Sequence, residues 1–481
     1  MKHSIVLRTA IVAAALLFTF ATSGLAQDLK PITPLTPPHV SSAPGTLFVP
    51  KSSQPQTVPA GHKLAAHTNV EIFVPHNLDP DALPPFPGYG YETPQSAACH
   101  YALVAEPAGA SPNCNPNNSA LATFTAGSNT IAIVDAYDDP AAPGDLAWFS
   151  LQFGLPLALT QFHVVWANTI SSSCPKNFGY GVPIDATGGW EVEESLDIEW
   201  AHAMAPKANI YLVEACSNYD SDLQQAVLLA NNIVQCPATA GVAPNFGVNP
   251  STGALIACPA GSAGKGEVSM SWGGDEFVGE KGSTACAFLD DSCFKTPNVV
   301  YFASAGDSPG QSWPSTSPNV VSAGGTTIER NAATFNFERE AAWVFTGDGD
   351  SAIEPIPSYQ STISGIVGKW RGTPDLSFDA DPYTGEYVYD TFPIDGFYYY
   401  EWLIVGGTSA SSPALAGIVN SAAGFSASSN AELTKIYANK AVTADFTDIT
   451  YGFCGFYMGY ETLTGWDFCT GVGVPHTLVG K

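Results

Sequence analysis

Three short segments carry side chains suited to acyl-transfer chemistry. In Gly406-Gly407-Thr408-Ser409-Ala410-Ser411-Ser412-Pro413, two glycines and a threonine precede a serine that opens the apolar stretch Ala414–Ala423. A serine so placed is either a helix N-cap or a nucleophile whose developing oxyanion meets free backbone N–H groups. A nucleophilic serine needs a base, most often histidine. The nine histidines are His3, His39, His62, His67, His76, His100, His163, His202 and His476, and none opens a His-Gly-Thr helix start. His39, His62, His67 and His76 fall in a Pro-rich stretch without a rigid scaffold, and His202 reads as an ordinary helix residue. Carboxylates offer the alternative. Glu193 and Asp197, four residues apart, share one face of a helical pattern. Two such groups either form a solvated acidic face or share a proton, which raises one pKa. A carboxylate of that kind can act as general base in acid, where histidine is protonated. Asp307, in Ser304-Ala305-Gly306-Asp307-Ser308-Pro309, follows an apolar run. It is either a turn aspartate or a carboxyl that donates to an oxyanion when protonated.

The elements that must hold these residues are legible as alternating patterns. Thr130–Asp135, Asn209–Glu214, Glu267–Trp272 and Val299–Ser304 are short apolar runs closed by Gly, Asp or Ser, as buried strands are. Glu191–Met204, Asp220–Val234 and Thr408–Ala423 have helical period. This alternation predicts an α/β fold, a doubly wound and mainly parallel sheet with helices on both faces. Ligands in such folds sit beyond the carboxyl ends of the strands, so strand-closing residues such as Asp135 and Asp307 are candidates. Residues 1–26 read as a signal peptide, 27–85 as an extended Pro-rich leader or short pro-segment, and 86–481 as a single catalytic domain.

Composition limits the partners. The chain has 481 residues with 44 acidic against 17 basic, a formal net charge of −27. Such a chain gains nothing from phosphate neutralisation, which disfavours nucleic acid and anionic membranes. Disorder is excluded by 45% hydrophobic and 11% aromatic residues. Lys2 and Arg8 flank the apolar run Ala10–Ala21 ahead of Gly24-Leu25-Ala26, which predicts export with cleavage after Ala26, to the extracellular space or the periplasm. Ten cysteines fit an oxidising compartment and lack metal-ligand spacing. Pairing of sequence neighbours (Cys99/Cys114, Cys174/Cys216, Cys236/Cys258, Cys286/Cys293, Cys454/Cys469) is one of many possible connectivities.

Taken in order, several of these segments resemble the sedolisin family of serine-carboxyl peptidases. The match runs through Glu193-Glu194-Ser195-Leu196-Asp197, Ser269-Met270-Ser271-Trp272-Gly273, Ser304-Ala305-Gly306-Asp307-Ser308, Trp313-Pro314-Ser315, Gly324-Gly325-Thr326, Pro374-Asp375-Leu376-Ser377 and Gly407-Thr408-Ser409. The resemblance implies a subtilisin-like fold and an acid-active endopeptidase acting on proteins or peptides through an acyl-enzyme on Ser409. It makes Glu193 the general base, Asp197 its hydrogen-bonding support, Asp307 the oxyanion-hole donor, and Asp135 an auxiliary acid. It also implies a monomer with one structural calcium ion held by the carboxylates of Asp448 and Asp467 and the carbonyls of Ile449, Leu463 and Gly465. Phe397–Trp402 and Trp272 are candidates for lining substrate pockets, or for a buried sheet edge. The alternatives are a catalytically silent binding module on the same calcium-stabilised fold and a histidine-dependent subtilase.

Overall fold

The computed structural model describes residues 44–481 apart from 77, 80, 108–113, 168–181, 237–263, 283–284, 396–400 and 456–458. The expected signal peptide, Cys174, Cys258 and most of the aromatic stretch Phe397–Trp402 lie outside the described residues. The chain opens with β1 (Gly45–Phe48), β2 (His67–Thr68), β3 (Glu71–Pro75) and α1 (Pro94–His100). There follow β4 (Thr130–Ala136), α2 (Ala142–Phe153), β5 (Phe162–Trp166), α3 (Gly189–Met204), β6 (Asn209–Ala215) and α4 (Asp220–Val234). Next come β7 (Gly266–Met270), β8 (Trp272–Gly273), β9 (Val299–Ser304), β10 (Val321–Arg330), β11 (Phe337–Ala342) and β12 (Gly349–Pro355). The chain continues with α5 (Ser364–Val367), β13 (Trp370–Thr373), β14 (Leu376–Asp379), β15 (Glu386–Tyr389), β16 (Trp402–Gly406), α6 (Thr408–Ala422) and α7 (Ser429–Asn439).

The main sheet runs β11-β10-β9-β7-β4-β6-β5, with β14 also on β10. All its pairings are parallel except β10–β11. Side chains alternate along β4: Ile131 and Ile133 face Leu196, Leu415 and Ile418, whereas Ala132 and Val134 face Leu223, Val227 and Ala230. Helices α3 and α6 therefore cover one face and α4 the other, as expected from the alternation. The helices α3 and α6 cross closely: a Cβ at Gly417 would stand 2.7 Å from Met204 Cβ and 2.9 Å from Ala201 O. After β4 the chain builds β5 and β6 on one side, then returns to build β7, β9 and β10 on the other. This reversal of direction is the switch point at whose carboxyl edge sheets of this kind place their ligands.

Over the described part of the expected leader, residues 44–85, the structure departs from a free segment. A second, antiparallel sheet has the order β1-β3-β16-β15, so β3 pairs with the strand that leads into α6. The short apolar run Val70, Ile72 and Phe73 is buried there, and burial outweighs the prolines around it. Disulfides join Cys99–Cys114, Cys286–Cys293 and Cys454–Cys469, matching three expected neighbour pairs. Cys216 and Cys236 are disulfide-bonded as well. No helix among the described residues is long and apolar enough to cross a membrane.

Candidate active site

Ser409 occupies the first turn of α6, delivered there by β16 and a turn at Gly407. Gly407 has φ +99°, and a Cβ there would meet Asn69 O at 2.1 Å and Asp307 Oδ2 at 2.5 Å, so only glycine serves. The Ser409 hydroxyl donates to Ser271 O at 3.1 Å and accepts from Asn69 N–H at 3.1 Å. Ser271 Oγ in turn donates to Ser409 O at 3.2 Å. The free amide of Ser409 donates to Asn69 O at 3.1 Å. Ser409 is thus no mere N-cap: no side-chain cap closes α6.

Helix α3 brings Glu193 and Asp197 to the same place. All sixteen of its residues are buried, which overturns the solvated acidic face. Burial pushes the Glu193 carboxyl well above the usual range; the charges of Asp197, Asp135 and Asp307 add to the rise, and the Ser409 hydroxyl opposes it. Asp197 is raised by burial and by Asp135, with Ser271 acting the other way. Asp135, closing β4, is pushed up to about 8 by burial. No carboxyl oxygen of these three has a well-formed hydrogen bond, so Ser409 and Ser271 act on them at longer range. Burial and the mutual repulsion of these three carboxyls disfavour their ionising together.

Asp307 follows β9. Its Oδ1 accepts from Thr408 N–H at 2.7 Å and Thr408 Oγ1–H at 2.8 Å. Its Oδ2 is buried without a partner, facing the spot beside Gly407 that Asn69 O also occupies. Burial, then the nearby Glu71 carboxyl, raises Asp307 well above the usual range against the pull of Thr408. A proton on Oδ2 would donate toward that spot. The structure therefore gathers Ser409, Glu193, Asp197, Asp135 and Asp307 from four separate elements at the carboxyl edge of the sheet.

Sequence reasoning missed Asn69, Glu71 and Ser304. Asn69 and Glu71 sit in the Pro-rich stretch, where only the apolar run 70–74 hinted at a strand. Glu71 is pushed up to about 7 by burial and by Asp381. His67 approaches the site through β2, but its Nδ1 bonds Thr68 O at 3.0 Å. His202 lies buried in α3 with neither ring nitrogen partnered, and burial lowers it to about 4. The indole of Trp272 is buried and donates to Val134 O at 2.7 Å, so it packs inward rather than lining a substrate pocket.

The C-terminal loop brings the expected metal ligands together. Asp467 Oδ2 accepts from Leu463 N–H at 2.9 Å, and its Oδ1 accepts from Cys469 and Thr470 N–H, both at 2.9 Å. Asp448 Oδ2 accepts from Gly465 N–H at 2.8 Å, while its Oδ1 is buried without a partner. Burial raises both carboxyls, Asp467 to about 7. The Cys454–Cys469 disulfide ties this loop. The unpartnered Asp448 Oδ1 is a hard oxygen of the kind calcium takes, while the other three oxygens of the pair are held by backbone N–H groups and no group of three or more His, Cys, Asp or Glu side chains gathers for a metal among the described residues.

With its parallel sheet, flanking helices and carboxyl-edge switch point, the chain has a subtilisin-like α/β fold. A solved structure of Pseudomonas sedolisin, a serine-carboxyl proteinase complexed with pseudo-iodotyrostatin, matches that fold with a TM-score of 0.56 at 24% identity, over 80% of this chain and 96% of that one. No family model matches. The chain is 32% identical to kumamolisin of Bacillus sp. (strain MN-32) over 327 residues, 61% of this chain and 50% of that protein. It is 35% identical to sedolisin of Pseudomonas sp. (strain 101) over 179 residues, 34% of this chain and 28% of that protein. It is 32% identical to xanthomonalisin of Xanthomonas sp. (strain T-22) over 186 residues, 33% and 20% of the two chains. The matches span half or less of these relatives' lengths. Over these stretches the chain is similar to members of the sedolisin family.

Proposed function

We propose that this chain is an exported serine-carboxyl endopeptidase, active in acid, that hydrolyses peptide bonds of proteins or peptides. The observation that carries the reading is the placement of Ser409 in the first turn of α6, packed against α3, the helix that carries the buried Glu193 and Asp197 carboxyls. Glu193 takes the Ser409 proton as Oγ attacks the substrate carbonyl. Asp197 and Asp135 hold Glu193 in place and keep a shared proton nearby. The oxyanion receives hydrogen bonds from Ser409 N–H and from a protonated Asp307 Oδ2. Glu193 then passes its proton to the leaving amine, and a water activated the same way releases the acyl group from Ser409. The raised pKa of Asp307 keeps its Oδ2 protonated through the acid range and lets the donor be lost only as pH rises through that value, and a carboxylate can serve as base where histidine is protonated.

Export rests on the expected signal peptide of residues 1–26 and on the disulfides. Calcium, held by Asp448 and Asp467 with carbonyls of Ile449, Leu463 and Gly465, would tie the C-terminal loop. The decisive test is digestion of casein or a peptide from about pH 2 to 8 by wild type, Ser409→Ala and Glu193→Ala. Acid-optimal cleavage lost in both variants supports the assignment. Full activity in either variant refutes it, and no cleavage by wild type points to a silent binding module.

A further inference from the structure

On the face of the main sheet that α3 covers, a row of side chains runs from the Ser409 site to the sheet's edge. Asp135 on β4 stands opposite Glu214 on β6, and Glu214 stands opposite Trp166 on β5, the last strand on that side. Neighbouring strands lie about 4.8 Å apart, so the row spans about 10 Å. Two positions back on each strand, Ile133, Leu212 and Val164 join the core of Val192 and Leu196, so the row points toward α3 as well. Glu194, next to Glu193 on α3, lies over the row, where its carboxyl feels the charges of Glu214, Asp139, Asp135 and Glu191. The Glu214 carboxyl lies against that of Asp138, close enough for one proton to bridge them. Asp138 is half-buried, and its Oδ1 accepts the Trp166 indole N–H at 3.1 Å.

Nothing in the packing calls for these carboxyls. Glu194 and Glu214 are wholly buried, and none of their four oxygens has a donor partner. A buried carboxyl left in that state costs stability, and most are held by a cation or by N–H groups. The charges around these two are acidic instead, and Asp145 on α2 adds its own to Asp139. Nor do they gather around one point as metal ligands do among the described residues. A protonated carboxyl, however, carries an O–H donor and keeps acceptor capacity, so a line of them can satisfy itself by passing protons along. Asp135 also acts on both Glu193 and Asp197, so the line is continuous from the Ser409 site to the half-buried Asp138.

We infer that Glu194, Glu214 and Asp138 form a proton relay joining the Glu193–Asp197–Asp135 group to solvent at the β5 edge of the sheet. The inference rests on the peptidase reading and deepens it. Burial makes Glu193 hold a proton at rest in acid, and it must shed that proton before it can take the one on Ser409. Glu193 is wholly buried, so the proton needs a path through the protein. Ionised Asp138 takes a proton from Glu214, Glu214 takes one from Glu194, Glu194 from Asp135, and Asp135 from Glu193. Asp138 then releases its proton to water. Only O–H bonds break and form: Glu193 loses one proton, water gains one, and every carboxyl between them returns to its starting state. The same steps in reverse reload Glu193 after turnover. None of the three touches the reacting atoms; they act through Glu193, as positioning residues for its proton.

The test compares wild type, Glu214→Gln and Asp138→Asn on one peptide at the acidic optimum, in H2O and D2O and over a range of acetate concentration. An amide keeps the shape of the side chain but cannot take a proton in and pass another on. Glu214→Gln should lower kcat about tenfold with KM within about twofold of wild type, and should raise the solvent isotope effect on kcat about twofold. Asp138→Asn should lose as much in dilute buffer and recover as acetate rises, because a small carboxylic acid can stand in at the outlet. The wholly buried Glu214→Gln should not recover. A merely structural role would lower kcat with no response to D2O or acetate. An unchanged kcat and isotope effect in Glu214→Gln overturns the relay while the peptidase reading stands. So does a loss in Asp138→Asn that acetate leaves in place, and this half-buried position carries the test if Glu214→Gln does not fold. A wild type that digests no casein removes the peptidase reading and the relay together.

Discussion

Asp307→Asn separates a protonated carboxyl donor from every other role of this residue. In the wild type Oδ1 is fixed by two hydrogen bonds from Thr408, at 2.7 and 2.8 Å, so the unpartnered Oδ2 is the atom aimed at the oxyanion. An asparagine can keep its carbonyl toward Thr408 and present an NH2 group in place of Oδ2, a donor at every pH. The sign follows from the raised pKa of Asp307: its proton is present at low pH and lost as pH rises through that raised value. The wild-type rate should therefore fall on the alkaline side, and Asp307→Asn should move that limb to higher pH with kcat at the acidic optimum within about tenfold of wild type. Asp307→Ala removes the donor altogether. Losing one such donor costs about 100- to 1000-fold in kcat, roughly 3–4 kcal/mol. It also leaves the Thr408 N–H without its acceptor, about 1–3 kcal/mol of stability that a thermal melt would report separately. The assay is the pH profile of kcat and kcat/KM on one peptide for all three proteins. An alkaline limb unmoved in Asp307→Asn, or a kcat within a few-fold of wild type in Asp307→Ala, refutes the donor role.

Three further outcomes follow. Burial raises Asp139 to about 8, and Glu194, Glu199 and Glu214 well above their usual range, so the folded state binds more protons than the unfolded one. Stability should accordingly be full near pH 4 and fall as pH rises toward about 8, with Asp139→Asn flattening the slope; a Tm that climbs with pH contradicts this. Asp467→Ala and chelation should each lower Tm, and the chelator should have no effect on the variant; unchanged melts in both would remove the calcium assignment. Asp375 sits in the Pro374-Asp375-Leu376-Ser377 motif and binds buried Arg371 through both oxygens, at 3.0 and 2.6 Å, so Asp375→Ala should cost about 3–5 kcal/mol of unfolding free energy. A loss under about 1 kcal/mol in urea unfolding would count against a structural role for that motif.

Much of this arrangement was legible because its signals are local. The four-residue step from Glu193 to Asp197, the Gly-Thr-Ser start of α6 and the apolar runs of β4, β6 and β9 are each local in sequence. What the sequence concealed depends on distant partners. Five acidic residues along α3 read as easily as a wetted face, and only its position between α6, α2 and the sheet buries them. Strand β2 has two residues and β3 five, too short for periodicity among prolines, and their partners β8 and β16 lie hundreds of positions downstream. Helix α2 begins at Ala142-Pro143 without a side-chain cap, so nothing marked its start. The split of the third apolar run into β7 and β8 at Ser271 is likewise invisible until Ser409 is placed beside it.

The order β1-β3-β16-β15 has a consequence for a chain that has lost its first strand. Without β1, β3 becomes the border of that small sheet, with a row of amide and carbonyl groups left unpaired beside the strand that leads to Ser409. Such a border binds any extended backbone largely without regard to side chains. The same exposed ladder would also invite two molecules shortened in this way to zip together edge to edge, so such a form should be prone to self-association.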